Sequence, residues 1–148
     1  MHSFQRLFLG VAAAMLVLTG VAHADVIADR KAIMKMKMGA SMGVLAKTMK
    51  GEMDYDPAAV LAAFTTMREG IEGFGELFPE DSMSGGETIA SPKIWEDMEG
   101  FQAAITKVKS DLDTAIAAAP QDKAAFTPVF QSVAGNCGAC HETYRIKQ

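Results

Sequence analysis

Near its C-terminal end the chain reads Cys137-Gly138-Ala139-Cys140-His141. Two thiols three positions apart, followed at once by an imidazole, form the C-x-x-C-H string through which haem is attached covalently. The chain has 2 cysteines in all, and both lie here. On a helix, Cys137 and Cys140 stand about 60° apart around the axis and about one turn apart along it. Two thiols so placed suit thioether bonds to the two vinyl groups on one haem edge. His141 follows on the flank of the same face, from which its imidazole can reach the iron as the proximal axial ligand.

Three other chemistries use the same residue types. A thioredoxin-like redox pair normally sits at a helix start within a βαβ unit, a context this sequence lacks. A structural zinc site takes four ligands, and only three candidates cluster here. A disulfide is the default for two cysteines in an exported chain, but it leaves the adjoining His141 without a reason. Covalent haem c with its iron uses all three residues. A haem-free helical protein with a disulfide is the alternative.

Export is read from the N-terminus. Arg6, the apolar run from Leu7 to Leu18 and then Ala22-His23-Ala24 match the charged, apolar and A-x-A regions of a secretory signal peptide. Cleavage after Ala24 divides the chain into a leader, residues 1–24, and one domain, residues 25–148. The apolar run is shorter than the roughly 20 residues that a membrane span needs, so a soluble periplasmic protein is expected. The 148-residue chain has a formal charge of −4, and losing Arg6 makes it one unit more negative. Such acidity argues against a nucleic-acid-binding surface. Cleavage also removes His2 and His23, which leaves His141 as the only imidazole.

The elements that must position this site read as helices. Met, Ala, Leu, Lys and Glu dominate, and alternation at period two is absent. Segment one, from about Val26 to Met49, carries Ile27, Met34, Met38, Met42, Leu45 and Met49 on one face. Segment two opens with Asp56-Pro57, a cap followed by proline in the first helical position. It carries Val60, Phe64, Met67, Ile71, Phe74 and Phe78 at alternating steps of four and three, and Pro79 stops it. Residues 79–91 form the longest loop. Ser91-Pro92 repeats the cap-and-proline start, and Ile94, Met98, Phe101, Ile105, Val108, Leu112 and Ile116 keep the same spacing until Pro120. Segment four begins near Asp122 and carries Phe126, Phe130, Val133, Cys137, Cys140 and Tyr144. Pro128 inside it predicts a kink or a delayed start. The expected fold is all-α, an antiparallel up-down-up-down four-helix bundle with covalently bound haem c.

In that topology the C-terminal end of segment four lies beside the N-terminal end of segment one. With no second histidine and no free cysteine, methionine is the remaining strong iron ligand, and the chain has 11. Met34 lies on the core seam within the first turns of segment one. Met38 shares its face one turn deeper and is the second choice, while Met36 points about 200° away. Met34 is therefore the expected distal residue, either bound to iron or packed as an ordinary core methionine over an open position. Met/His ligation raises the haem potential and suits one-electron transfer, because both oxidation states keep the same ligands. An open position would suit a small diatomic gas instead.

Arg30, one turn before Met34, is read either as a haem propionate contact or as a solvated side chain, and Arg145, one turn after His141, likewise. Tyr144 and Trp95 are read as packing. Glu96, Asp97 and Glu99 are read as a solvated helix start that complements the helix dipole. No carboxylate pair or nucleophile–base set emerges, so the expectation is an electron carrier and not an enzyme.

The stretch Cys137-Gly138-Ala139-Cys140-His141-Glu142-Thr143-Tyr144-Arg145, late in an exported four-helix chain, resembles the class II c-type cytochromes, the cytochrome c-prime family. That family is itself a standard example of the four-helix bundle. The resemblance implies thioethers at Cys137 and Cys140 and a proximal His141. It also places an arginine four residues before the distal residue, here Arg30 and Met34. The family often has glutamine after that arginine, where this chain has Lys31. Ser91-Pro92-Lys93-Ile94-Trp95 is similar to the low-spin, six-coordinate branch, in which a first-helix methionine binds the iron. The resemblance thus implies a periplasmic monohaem cytochrome carrying single electrons between redox partner proteins. Its alternative is a high-spin, five-coordinate member that binds nitric oxide or carbon monoxide. Family members are commonly homodimers.

Overall fold

The computed structural model describes residues 20–147. Residues 1–19, most of the expected leader, lie outside the described residues. Four long helical rods carry the fold. The first is built from α1 (Gly20–Ala32), a π-helical segment (Ile33–Gly39) and α2 (Ala40–Lys50). Ala32, Gly39 and Ala40 all keep right-handed helical angles, so the rod continues through both junctions. The expected segment one is thus a single rod, but not a regular α-helix. Gly51 ends it at φ 77°, the left-handed conformation that glycine adopts without penalty.

Helix α3 (Pro57–Ile71) starts as the sequence predicts, with the Asp56 carboxylate accepting from the Ala58 N–H at 2.9 Å. It ends earlier than its apolar period. Gly73 takes φ 67° and diverts the chain into a short 3₁₀ turn at Phe74–Leu77. Phe74 and Phe78 are buried nonetheless. The period marked a buried face correctly while the backbone along that face changed from helix to turn.

The third rod also differs at its start. Ser91-Pro92 opens only a single turn, α4 (Lys93–Glu96), and Asp97 breaks it at φ −140°. Helix α5 (Met98–Ala118) then begins with Asp97 as its cap, the carboxylate accepting from the Gly100 N–H at 3.2 Å. Asp97 is therefore a structural cap, not a merely solvated acid. Helix α6 (Lys123–Tyr144) is capped by Asp122 and runs through Pro128 without the delayed start expected.

The rods pack as a four-helix bundle around Leu45, Phe64, Met67, Phe101, Leu112 and Phe126, all nearly or fully buried. At the end away from the cysteines, the Tyr55 hydroxyl donates to the Pro120 carbonyl at 2.7 Å and ties the α2–α3 turn to the α5–α6 turn. At the other end, the long connection after α3 reaches the chain's C-terminus. The Ser91 N–H donates to the Tyr144 carbonyl, and the Ile146 N–H donates to the Ile89 carbonyl. Among the described residues no helix is long and apolar enough to cross a membrane.

Candidate haem site

The last two turns of α6 carry the sequence motif. Cys137 and Cys140 are partly buried, unpaired and packed against the bundle core. Burial pushes both thiols above their ordinary pKa, and for Cys140 the neighbouring Cys137 adds to the rise. His141 presents an exposed edge, yet crowding by the adjoining wall lowers its imidazole pKa and the Arg145 guanidinium lowers it further. The position of this helix is fixed from α5. Asp111 accepts from Ser132 Oγ and from Asn136 Nδ2, each at 2.6 Å. One helical turn past Cys140, the Tyr144 hydroxyl donates to Asp97 at 3.0 Å, and its ring packs edge-on against Phe101. Tyr144 is thus packing, as expected, with a cross-helix hydrogen bond added. Gly135 and Gly138 have open space where a Cβ would project, so no protein neighbour demands glycine at either.

Facing this wall is a cleft of about 480 Å³ between α6 and the first rod. Phe74, Phe78, Ile94 and Phe101 give it an apolar floor, and Cys140, His141 and Tyr144 line it from α6. Arg30, Lys31, Met34, Lys35 and Gly39 line it from the first rod. His141 and Met34, named from the sequence for opposite sides of the site, border the same space. Met38 does not line it and is buried in the core. Met36 is 67% exposed, as its position implied. The donor set fits haem c: the Cys140 thiol, an imidazole and a thioether border an apolar cleft with cations at its rim, and the unpaired Cys137 thiol lies one turn before Cys140, packed against the core. Among the described residues no three His, Cys, Asp or Glu side chains converge as a metal-ligand cluster, and the two thiols are not joined as a disulfide.

Comparison with known proteins gives the same answer. The family model described as Cytochrome C' matches residues 25–145. The chain belongs to the cytochrome c' family. It is 40% identical over 119 residues to cytochrome c-556 of Agrobacterium tumefaciens (strain II Chrys), covering 80% of this chain and 95% of that one. It superposes on the solved cytochrome c' of Rhodopseudomonas palustris with a TM-score of 0.80 and 37% identity, covering 84% and 98% of the two chains. A structural model of oxidized Rhodopseudomonas palustris cytochrome c556 matches with a TM-score of 0.76 and 30% identity, covering 84% and 98%. This cytochrome binds covalent haem c with its iron and carries single electrons.

Beside the cleft, the cytochrome has a second organised feature that the sequence did not reveal. Arg30 is 4% exposed, which overturns the solvated reading. Its Nη1 donates to the Leu77 carbonyl at 3.1 Å and to Ser82 Oγ at 3.0 Å. Its Nη2 donates to the Ser82 carbonyl at 2.9 Å and to Thr88 Oγ1 at 2.8 Å. The guanidinium also lies 4.6 Å from the Phe78 ring centroid, a cation–π contact that strengthens as water is excluded. Burial lowers its pKa. Trp95 holds the same loop from α4, donating from Nε1 to the Phe78 and Pro79 carbonyls. Lys31 adds a bond to the Gly86 carbonyl at 3.3 Å and an ion pair with Glu87 at 3.6 Å. Arg145 differs from Arg30: it is exposed at the end of α6, with Ala90 paired to it across a β-bridge. Sequence reasoning missed Lys35, Gly39 and Thr88 as cleft residues. Only Gly39 had a readable signal, in the spacing of the methionines around it.

Proposed function

We propose that this cytochrome works with His141 and Met34 as the axial ligands of a six-coordinate, low-spin haem. The observation that carries the reading is that these two side chains, 107 positions apart in sequence, border one apolar cleft while Met38 is turned away from it. When bound, haem c supplies a single Fe(II)/Fe(III) couple. The chain supplies the rest. Cys137 and Cys140 tether the group through thioethers, so it cannot dissociate. His141 and Met34 stay in place in both oxidation states, which keeps structural change small during electron transfer. Phe74, Phe78, Ile94 and Phe101 exclude water from the floor of the cleft, and a dry site with a thioether ligand favours a raised potential. Lys31, Lys35 and Arg145 stand at the rim as partners for the propionates. Arg30 is a propionate neighbour at the same rim, with its guanidinium already held by four loop acceptors.

The protein acts in the periplasm after cleavage at Ala24. The family match beginning at residue 25 supports that boundary, and an intact mass equal to residues 25–148 plus one haem tests it. Its partners are redox proteins of that compartment, and no catalytic residue set accompanies the haem. Absorption spectra of the purified holoprotein test the ligation. A low-spin spectrum that carbon monoxide changes only slowly, and that Met34→Ala converts to high-spin, is expected. Rapid carbon monoxide uptake by the parent protein would instead assign it to the five-coordinate, gas-binding class.

A further inference from the structure

The first rod departs from α geometry where Met34 sits. On a regular α-helix, counting from Arg30 at 0°, Met34 would stand at about 40°, Met38 at about 80°, Lys35 at about 140° and Gly39 at about 180°. Arg30, Met34 and Lys35 all line the cleft. Met38 would then project into the middle of the lined arc, beside Met34. It does not: Met38 is 7% exposed within the core, and Gly39 lines the cleft instead.

The backbone shows why. The rod is π-helical from Ile33 to Gly39, and at its end the Ala40 N–H donates to the Lys35 carbonyl, five residues back, a bond shared with the Lys37 carbonyl. A turn closed by such a bond holds one residue more than an α turn. Because the π geometry already begins at Ile33, a residue at the end of the segment takes the place its predecessor would have had on an α-helix. Gly39 therefore occupies the position of Met38, one turn beyond Met34. A Cβ built on Gly39 would lie 3.0 Å from the Met34 carbonyl oxygen, so that place is also tight. The sequence carries a trace of this insertion. Met34, Met38 and Met42 are separated by two successive steps of four, which drift about 40° each on an α-helix. The other seams alternate four and three and drift only about 20° per heptad.

We propose that the π segment is a one-residue register device that gives Met34 the distal position alone. It turns Met38 into the core and sets Gly39, which has no side chain, at the cleft position next to Met34. The proposal rests on the reading of Met34 as the distal ligand, and it names what makes that methionine and not its neighbour the one presented.

Two pairs of holoprotein variants test it. Met36 is exposed within the π segment, and deleting it removes the extra residue while both flanking helices keep their faces. Haem content, helicity by circular dichroism and the low-spin spectrum are expected to match the parent. Deleting Lys47 from regular α2 rotates one flank by about 100° and is expected to lower haem content severalfold. Equal damage from the two deletions would overturn the register device, and this comparison needs no ligand assignment. In the second pair, Met34→Leu is expected to lose the low-spin spectrum although Met38 is intact. A low-spin spectrum that survives Met34→Leu but vanishes in Met34→Leu/Met38→Leu would mean that Met38 reaches the iron, which overturns the proposal. Survival in both variants would remove Met34 as the ligand, and the deletion pair would still decide the register device.

Discussion

The two walls of the cleft are built in opposite ways. The proximal wall is local: two thiols and an imidazole lie within five consecutive residues of one α-helix, and helical geometry alone sets their mutual placement. The distal wall is assembled from afar. Met34 faces the cleft through an irregular π segment, and the helix just before it is tied by Arg30 to Leu77, Ser82 and Thr88. Arg30 and Arg145 sharpen the contrast. Arg30 lies one turn from Met34 and Arg145 one turn from His141, yet the first is buried among four acceptors and the second is exposed. Attachment chemistry can thus be written into a short string. The makeup of the opposite wall depends on long-range packing that a short string does not hold.

The largest expected break in this comparison is on the proximal side. Cys137→Ser/Cys140→Ser is expected to abolish covalent haem, read as loss of the haem increment in an intact-mass spectrum. Next is the distal anchor. Arg30→Ala removes four donors and strands the Ser82 and Leu77 carbonyls, at a cost of about 3 kcal/mol by chemical denaturation. If it costs no more than Arg145→Ala, the long-range description of the distal wall is wrong. Tyr144→Phe removes the hydroxyl donated to Asp97 and should cost about 1 kcal/mol. Asp111 tunes the proximal side more gently. Hydrogen bonds from Ser132, Asn136 and Lys107 hold its carboxyl below the ordinary pKa. Its contribution is therefore present above the usual carboxylate range, near about pH 4, and is lost as pH falls through the lowered native value. Asp111→Asn should flatten the acid limb of a stability–pH curve by less than about 1 kcal/mol. Arg145→Ala, the smallest change, should stay within about 0.5 kcal/mol.

Much of this was legible beforehand, for reasons that differ by residue. Asp56-Pro57 and Asp122 marked true helix starts because a cap is a local hydrogen bond. Ser91-Pro92 carried the same signal and opened only one turn, because Asp97 bonds both Gly100 and the distant Tyr144 and resets the helix there. The apolar period found Phe74 and Phe78 as core although the helix had ended at Ile71, since burial follows spacing while backbone form followed Gly73. Arg30 could be placed next to Met34 by counting, but nothing near it in the chain announces acceptors some fifty positions away.

The sequence by itself held the C-x-x-C-H attachment string, the four-rod architecture and the candidacy of a first-helix methionine. Each depends on spacings within one helix or on side chains that bond their own neighbours. Only the tertiary structure showed how the first rod turns Met38 away from the cleft and what holds the distal rim. The sequence ranked Met34 ahead of Met38 by its place on the seam, whereas the π segment that sets Gly39 and not Met38 at the cleft is seen only in the folded chain. That geometry goes with packing Met38 into the core and Gly39 against the cleft, a balance among distant surfaces of which the two successive steps of four are only a trace.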